Sequence, residues 1–142
     1  MSSINAGKVV TGGLLAGLVF NILDFANNYL LVGADFQANA TRLGLDPAVA
    51  ESPAGIATWV VLDFLMGILI VWTYAAIRPR FGPGVKTAIY AGLVPFLGIT
   101  LVIFGLTQGG LFPMALFVKQ TVIALVITCV GAVAGAWAYK ES

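Results

Sequence analysis

Phe20-Asn21-Ile22-Leu23-Asp24-Phe25-Ala26-Asn27-Asn28-Tyr29 is the stretch whose reading decides the fold. It forms the second half of an apolar run over residues 9–32, which reaches the roughly 20 residues that a bilayer-spanning helix needs. Yet this half carries a carboxylate and three carboxamides. Asn21, Asp24 and Asn28 stand at i, i+3 and i+7, so one helical face collects them. Such groups are costly in hydrocarbon unless they face protein or water. The spacing predicts a membrane helix with its polar face turned inward and other helices arranged around it.

The rest of the composition agrees. Of 142 residues, 60% are hydrophobic and 9% charged, whereas a soluble domain has about 25% charged residues. A soluble chain of this length could not hide so much apolar surface. Three further runs can span a bilayer, at residues 55–77, 87–106 and 114–139. The breaks between them carry Pro and Gly, including Gly33, Pro47, Pro79, Gly82, Gly109 and Pro113. The expected fold is all-α: one domain over residues 1–142, with four transmembrane helices in an up-down bundle and an outer loop over residues 33–54. Lys8 and Ala38-Asn39-Ala40 have features of a signal peptide. The first apolar run is longer than a 7–15-residue signal core, so it reads as a retained span.

Basic residues set the orientation. Lys8, Arg78, Arg80, Lys86 and Lys140 fall on one side of the four spans. The other side has Arg42 against Asp35, Asp46 and Glu51. Both termini are therefore expected in the cytoplasm. Trp72 with Tyr74, and Trp137 with Tyr139, mark the cytoplasmic ends of the second and fourth spans as an interfacial belt. In the outer loop, Phe36, Ala40 and Leu43 have helical spacing. A short helix lying on the outer surface and an ordinary polar loop both fit.

Depth follows from the rise of ~1.5 Å per helical residue. Asp24 and Asp63 each lie roughly 12 Å inside the outer ends of their spans, and Lys119 roughly 8 Å inside its own. The expectation is an outer-leaflet layer in which Lys119 bridges Asp24 and Asp63, joined by Asn21, Asn28 and Gln120. Two carboxylates brought together in a low dielectric have the chemistry of a proton or cation site. The same layer also serves as a purely structural polar knot.

The inner half reads as close packing. Gly13 with Gly17, and Gly131 with Gly135, form two Gly-x-x-x-Gly pairs near the cytoplasmic ends. Small residues at this spacing let helix backbones approach. The first and fourth spans are expected to cross tightly there, with homodimerisation as the competing use of these faces. Pro95 is expected to kink the third span. Ala16-Gly17-Leu18-Val19 resembles Ala91-Gly92-Leu93-Val94, a hint of two related hairpins.

Histidine is absent and Cys129 is the only cysteine. His-ligated metal or haem, Ser-His or Cys-His catalysis and an intrachain disulfide are therefore excluded. No cofactor and no enzymatic activity are expected. A net charge of +1 offers no basic face for nucleic acid. The stiff turn Arg78-Pro79-Arg80-Phe81-Gly82-Pro83-Gly84 suits topology, with anionic lipid headgroups as a second use.

Tyr74-Ala75-Ala76-Ile77-Arg78-Pro79-Arg80-Phe81-Gly82-Pro83-Gly84-Val85-Lys86-Thr87-Ala88, with residues 132–140, resembles a group of small uncharacterised bacterial four-helix inner-membrane proteins. The resemblance implies a bacterial inner-membrane location and four spans, and no activity or site residue. Two functions stay open. One is a small structural or partner-binding membrane subunit, in a homodimer or larger membrane complex. The other is a transporter of a proton, a cation or a small polar solute through Asp24, Asp63 and Lys119.

Overall fold

A computed structural model describes residues 3–140. The ends of the expected domain, residues 1–2 and 141–142, lie outside the described residues. All regular elements among the described residues are helices: α1 (Ala6–Asn27), a π-helical segment (Asn28–Val32), α2 (Gly33–Arg42), α3 (Ala48–Glu51), α4 (Pro53–Phe81), α5 (Val85–Gln108) and α6 (Met114–Ala138). Four helical stretches are long and apolar enough to cross a membrane: Ala6–Arg42, α4, α5 and α6.

The first of these departs from expectation. Gly33 does not end the helix, and the outer loop over residues 33–54 shrinks accordingly. The chain runs on through the π-helical segment into α2, giving 37 helical residues in a row. At ~1.5 Å per residue that is roughly 55 Å, well beyond the ~30 Å hydrocarbon core. A lone glycine inside a helix costs only about 1 kcal/mol, too little to stop one. The amide of Gly33 donates to the carbonyl of Asn28 in the wider π pattern. The chain turns instead at Gly44, with φ of 73°.

Local signals set the other boundaries. Asn5 caps α1, its side chain accepting from the Lys8 amide at 3.0 Å. Ser52 caps α4, accepting from the Gly55 amide at 3.1 Å, and Pro53 takes the first helical position, where its missing N–H is no loss. α4 continues past the expected residue 77 and carries Arg78 and Arg80 in its last turn, where cations suit the helix dipole. It stops at Gly82, with φ of 81°. Pro95 sits inside α5, which stays one continuous helix from Val85 to Gln108.

Small residues set the helix pairing. α1 and α5 each pack against both α4 and α6, which also touch each other. Along α1 and α4, Gly13 meets Ile68, Gly17 meets Phe64, and Asn21 reaches the carbonyl of Val60. Along α1 and α6, Gly12 meets Gly135, Phe20 meets Gly131, and Asn27 meets Gln120. Gly92 meets Thr128, and Phe104 stacks at a tilt on Phe117, between α5 and α6. In each series one number rises as the other falls, the register of antiparallel neighbours.

The glycine faces divide differently from expectation. Gly13 and Gly17 pack on α4, with Gly67 as their opposite number, rather than on α6. A Cβ on Gly13 would sit 2.5 Å from the Ile68 Cα, so the two backbones leave no room for one. The contact of α1 with α6 uses the neighbouring face, Gly12 and Ala16, against Gly131 and Gly135. All these faces are buried within one chain.

The core occupies one half of the molecule. It runs from Val9 to Phe20 on α1, Gly67 to Ala75 on α4, Thr87 to Gly92 on α5 and Ile127 to Ala136 on α6, with Tyr139 just beyond that helix. Residues 53–66 of α4 and 93–106 of α5 hold no buried side chain. The tyrosines expected in an aromatic belt lie elsewhere. Trp72 and Trp137 are exposed, but Tyr74 and Tyr139 are buried and meet edge to face, ring centres 6.0 Å apart. The Tyr74 hydroxyl accepts from the Gly84 amide at 3.1 Å and so ties the α4–α5 turn to the core.

Candidate functional site

Polar residues form three groups along the second half of α1 and α2. The first is an acidic pair. Asp24 of α1 and Asp63 of α4 are both half-buried, and their carboxyl groups are in hydrogen-bond contact. The glycine-mediated approach of α1 to α4, at Gly17 about two turns before Asp24 and at Phe64 next to Asp63, brings them this close. An ionised carboxylate only accepts, so a hydrogen bond between two carboxyl groups needs a proton on one of them. A cation between them is the other way to hold two such groups together. Asn21 borders the pair and braces the helices, its amide donating to the carbonyls of Gly17 at 2.9 Å and Val60 at 3.3 Å.

Lys119 does not join this pair. Its Nζ lies 2.8 Å from Asp35 Oδ2 and donates to the Leu31 carbonyl at 2.6 Å. The reason is the uninterrupted outer helix. The antiparallel register of α1 and α6 sets Lys119 against Leu31, roughly 10 Å farther along the helix than Asp24 at ~1.5 Å per residue. Continuation of the helix through Gly33 then brings Asp35 within reach. Among the described residues no basic side chain pairs with Asp24 or Asp63.

The second group is Asn27 with Gln120. Asn27 is only 5% exposed and donates through Nδ2 to Gln120 Oε1 at 3.1 Å. Its own Oδ1 is buried with no partner among the described residues. Gln120 thus serves Asn27 and not an aspartate. Asn28, placed in the polar layer by its spacing, is exposed at the start of the π-helical segment.

The third group has no counterpart in the sequence-based site. Asp35, Asn39 and Arg42 of α2 face Ala115, Leu116 and Lys119 of α6 across a groove of about 400 Å³. Asn39, 5% exposed, donates to the Leu111 carbonyl at 3.1 Å. Its Oδ1 accepts from Arg42 Nε at 3.1 Å and Nη2 at 2.7 Å. Arg42 Nη2 also donates to the carbonyls of Gly110 at 2.8 Å and Leu111 at 3.1 Å. A signal for this group was present. Asp35, Asn39 and Arg42 are spaced i, i+4 and i+7, one face of a helix.

Gly13, Gly17, Gly131 and Gly135 are packing residues throughout. Among the described residues no group of three or more His, Cys, Asp or Glu is placed to hold a metal ion. No protein-family model matches the chain, and no curated protein and no solved structure is similar to it at a significant level.

Proposed function

We propose that this multi-pass membrane protein is a small partner-binding subunit of the bacterial inner membrane. In this reading it is an up-down bundle with both termini and the α4–α5 turn in the cytoplasm, and it has no catalytic role of its own. The antiparallel helix pairs support the bundle. The basic residues gathered at the tightly packed end support the orientation. The single observation that carries the function is the acidic pair. Asp24 and Asp63 meet without a basic partner among the described residues. They lie beside a length of α4, residues 53–66, that holds no buried side chain. A buried or half-buried carboxylate needs a compensating charge or hydrogen bond. A second copy of this chain, or a membrane helix bearing Lys or Arg, supplies that compensation and covers the bare length of α4.

One observation favours a second reading, proton or cation passage: two carboxyl groups in direct contact are built to exchange a proton or hold a cation. Reconstitution into liposomes separates the two. Partner binding expects no flux from the wild-type protein, and an assembly that dissociates in Asp63→Asn while the fold, read by circular dichroism, is kept. Flux of protons or cations by the wild type, abolished in folded Asp24→Asn and Asp63→Asn, selects transport and overturns the subunit reading.

A further inference from the structure

The groove between α2 and the start of α6 lies away from the acidic pair and does not rest on the reading just given. Three properties of it converge on one ligand chemistry.

The first is charge. Lys119 is matched by Asp35 at 2.8 Å. Arg42 has no carboxylate within salt-bridge distance among the described residues, so the groove keeps one uncompensated positive charge. The second is preorganisation. Arg42 Nε and Nη2 are held by Asn39 Oδ1 and by the carbonyls of Gly110 and Leu111. These bonds fix the plane of the guanidinium. Nη1 makes no hydrogen bond among the described residues and still has both protons to donate. A fixed guanidinium edge suits the oxygens of a phosphate group, and little side-chain entropy remains to be lost on binding. The third is position. The helix leading to Arg42 is roughly 55 Å long at ~1.5 Å per residue, against ~30 Å of hydrocarbon and ~40–45 Å with headgroups. The helix thus outreaches the hydrocarbon, and Arg42, bonded to the turn between the apolar α5 and α6, stands at headgroup level beside the apolar wall that Ala38, Ala115 and Leu116 give the groove. The volume, about 400 Å³, falls in the range of small-ligand sites, roughly 300–1,000 Å³.

We propose that this groove is a phosphate-ester site, taking either the headgroup of a membrane phospholipid or a soluble phosphate ester, with Arg42 as its anchor and Lys119 at its edge. The Arg42 edge grips the phosphate. The apolar wall accommodates the glycerol and upper acyl carbons of a lipid. Lys119 is half-exposed beside Asp35 and adds a weaker, screened attraction.

The test uses the full chain, purified in a phosphate-free maltoside detergent and read by native mass spectrometry. Phosphatidylglycerol, uncharged diacylglycerol, glycerol 3-phosphate and inorganic phosphate are added in separate arms. One retained phosphatidylglycerol per chain is expected, with about tenfold weaker retention in Arg42→Gln, the scale of losing one charge-assisted contact. Lys119→Gln is expected to weaken it about twofold. Arg42 also ties α2 to the α5–α6 turn, so a second variant guards against misfolding. Ala115→Trp fills the groove, leaves the bonds of Arg42 intact and is expected to abolish retention. Binding of glycerol 3-phosphate or inorganic phosphate without the lipid, lost in the same variants, assigns a soluble ester. Equal retention of diacylglycerol and phosphatidylglycerol, wild-type retention by folded Arg42→Gln and Ala115→Trp, or no binding in any arm overturns the proposal.

Discussion

The two halves of this molecule are built on opposite principles. In one half, glycines and alanines bring α1, α4 and α6 into backbone contact, and the side chains that remain, such as Val71 and Ile70, are buried almost completely. In the other half, the same helices are held by separate polar contacts, and long stretches of α4 and α5 hold no buried side chain. The contrast follows from the solvent. In lipid, apolar surface gains little by leaving the bilayer for a protein interior, so helices associate through close van der Waals packing or hydrogen bonds. Glycine supplies the first at one end. Asn, Gln, Asp and Lys supply the second at the other. A rigid base with a loosely tied, polar mouth results, and every candidate site lies in the mouth.

This comparison breaks if stability is not concentrated in the glycine half. The largest effect is expected for Gly67→Leu, whose side chain would enter the backbones of Gly13 and Gly17. Overpacking on that scale costs about 3 kcal/mol or more, read as loss of a cooperative thermal transition in detergent. Tyr74→Phe comes next. It removes the bond to the Gly84 amide but keeps the ring on Tyr139, and about 1 kcal/mol of stability should go. In the polar half the changes are expected to be smaller. Asn27→Leu deletes the Gln120 contact but also removes a buried unpaired oxygen. Interhelical hydrogen bonds in membranes average only ~0.6 kcal/mol, so the net change should stay within that figure. Lys119→Met should cost the least, under ~0.5 kcal/mol, because the pair with Asp35 is half-exposed and screened. The midpoints of the four variants should fall in this order. A polar-half substitution more damaging than Gly67→Leu would reverse the assignment of roles.

How much of the candidate site was legible depended on which cue was local. The contact of Asp24 with Asp63 could be anticipated from depth, because the two stand at similar distances from the matching ends of their expected spans. The bridging role of Lys119 could not. It relied on Gly33 ending the first helix, and one glycine is too weak a breaker once α2 continues with residues that tolerate a helix. The same break also hid the groove: a separate surface helix on Phe36, Ala40 and Leu43 and a polar loop both fit this segment, and neither sets Asp35, Asn39 and Arg42 against α6. Tyr74 and Tyr139 were misplaced for a similar reason. Aromatic residues near a span end suit both the interface and a packed end, and only the neighbouring helix decides between them.

The sequence by itself determined that four helices are long and apolar enough to cross a bilayer, because hydropathy over some 20 residues is a property of the chain alone. It also determined that glycine would make some helix contacts close, and that Asp24 needed a polar neighbour. Which glycine meets which helix was decided by the tertiary structure, since neighbouring faces of α1 serve two partners at once, Gly13 and Gly17 toward α4 and Gly12 and Ala16 toward α6. The partner of Lys119 was decided there too. A charge finds its counter-ion by register between distant helices, and register is set by packing that no local pattern encodes.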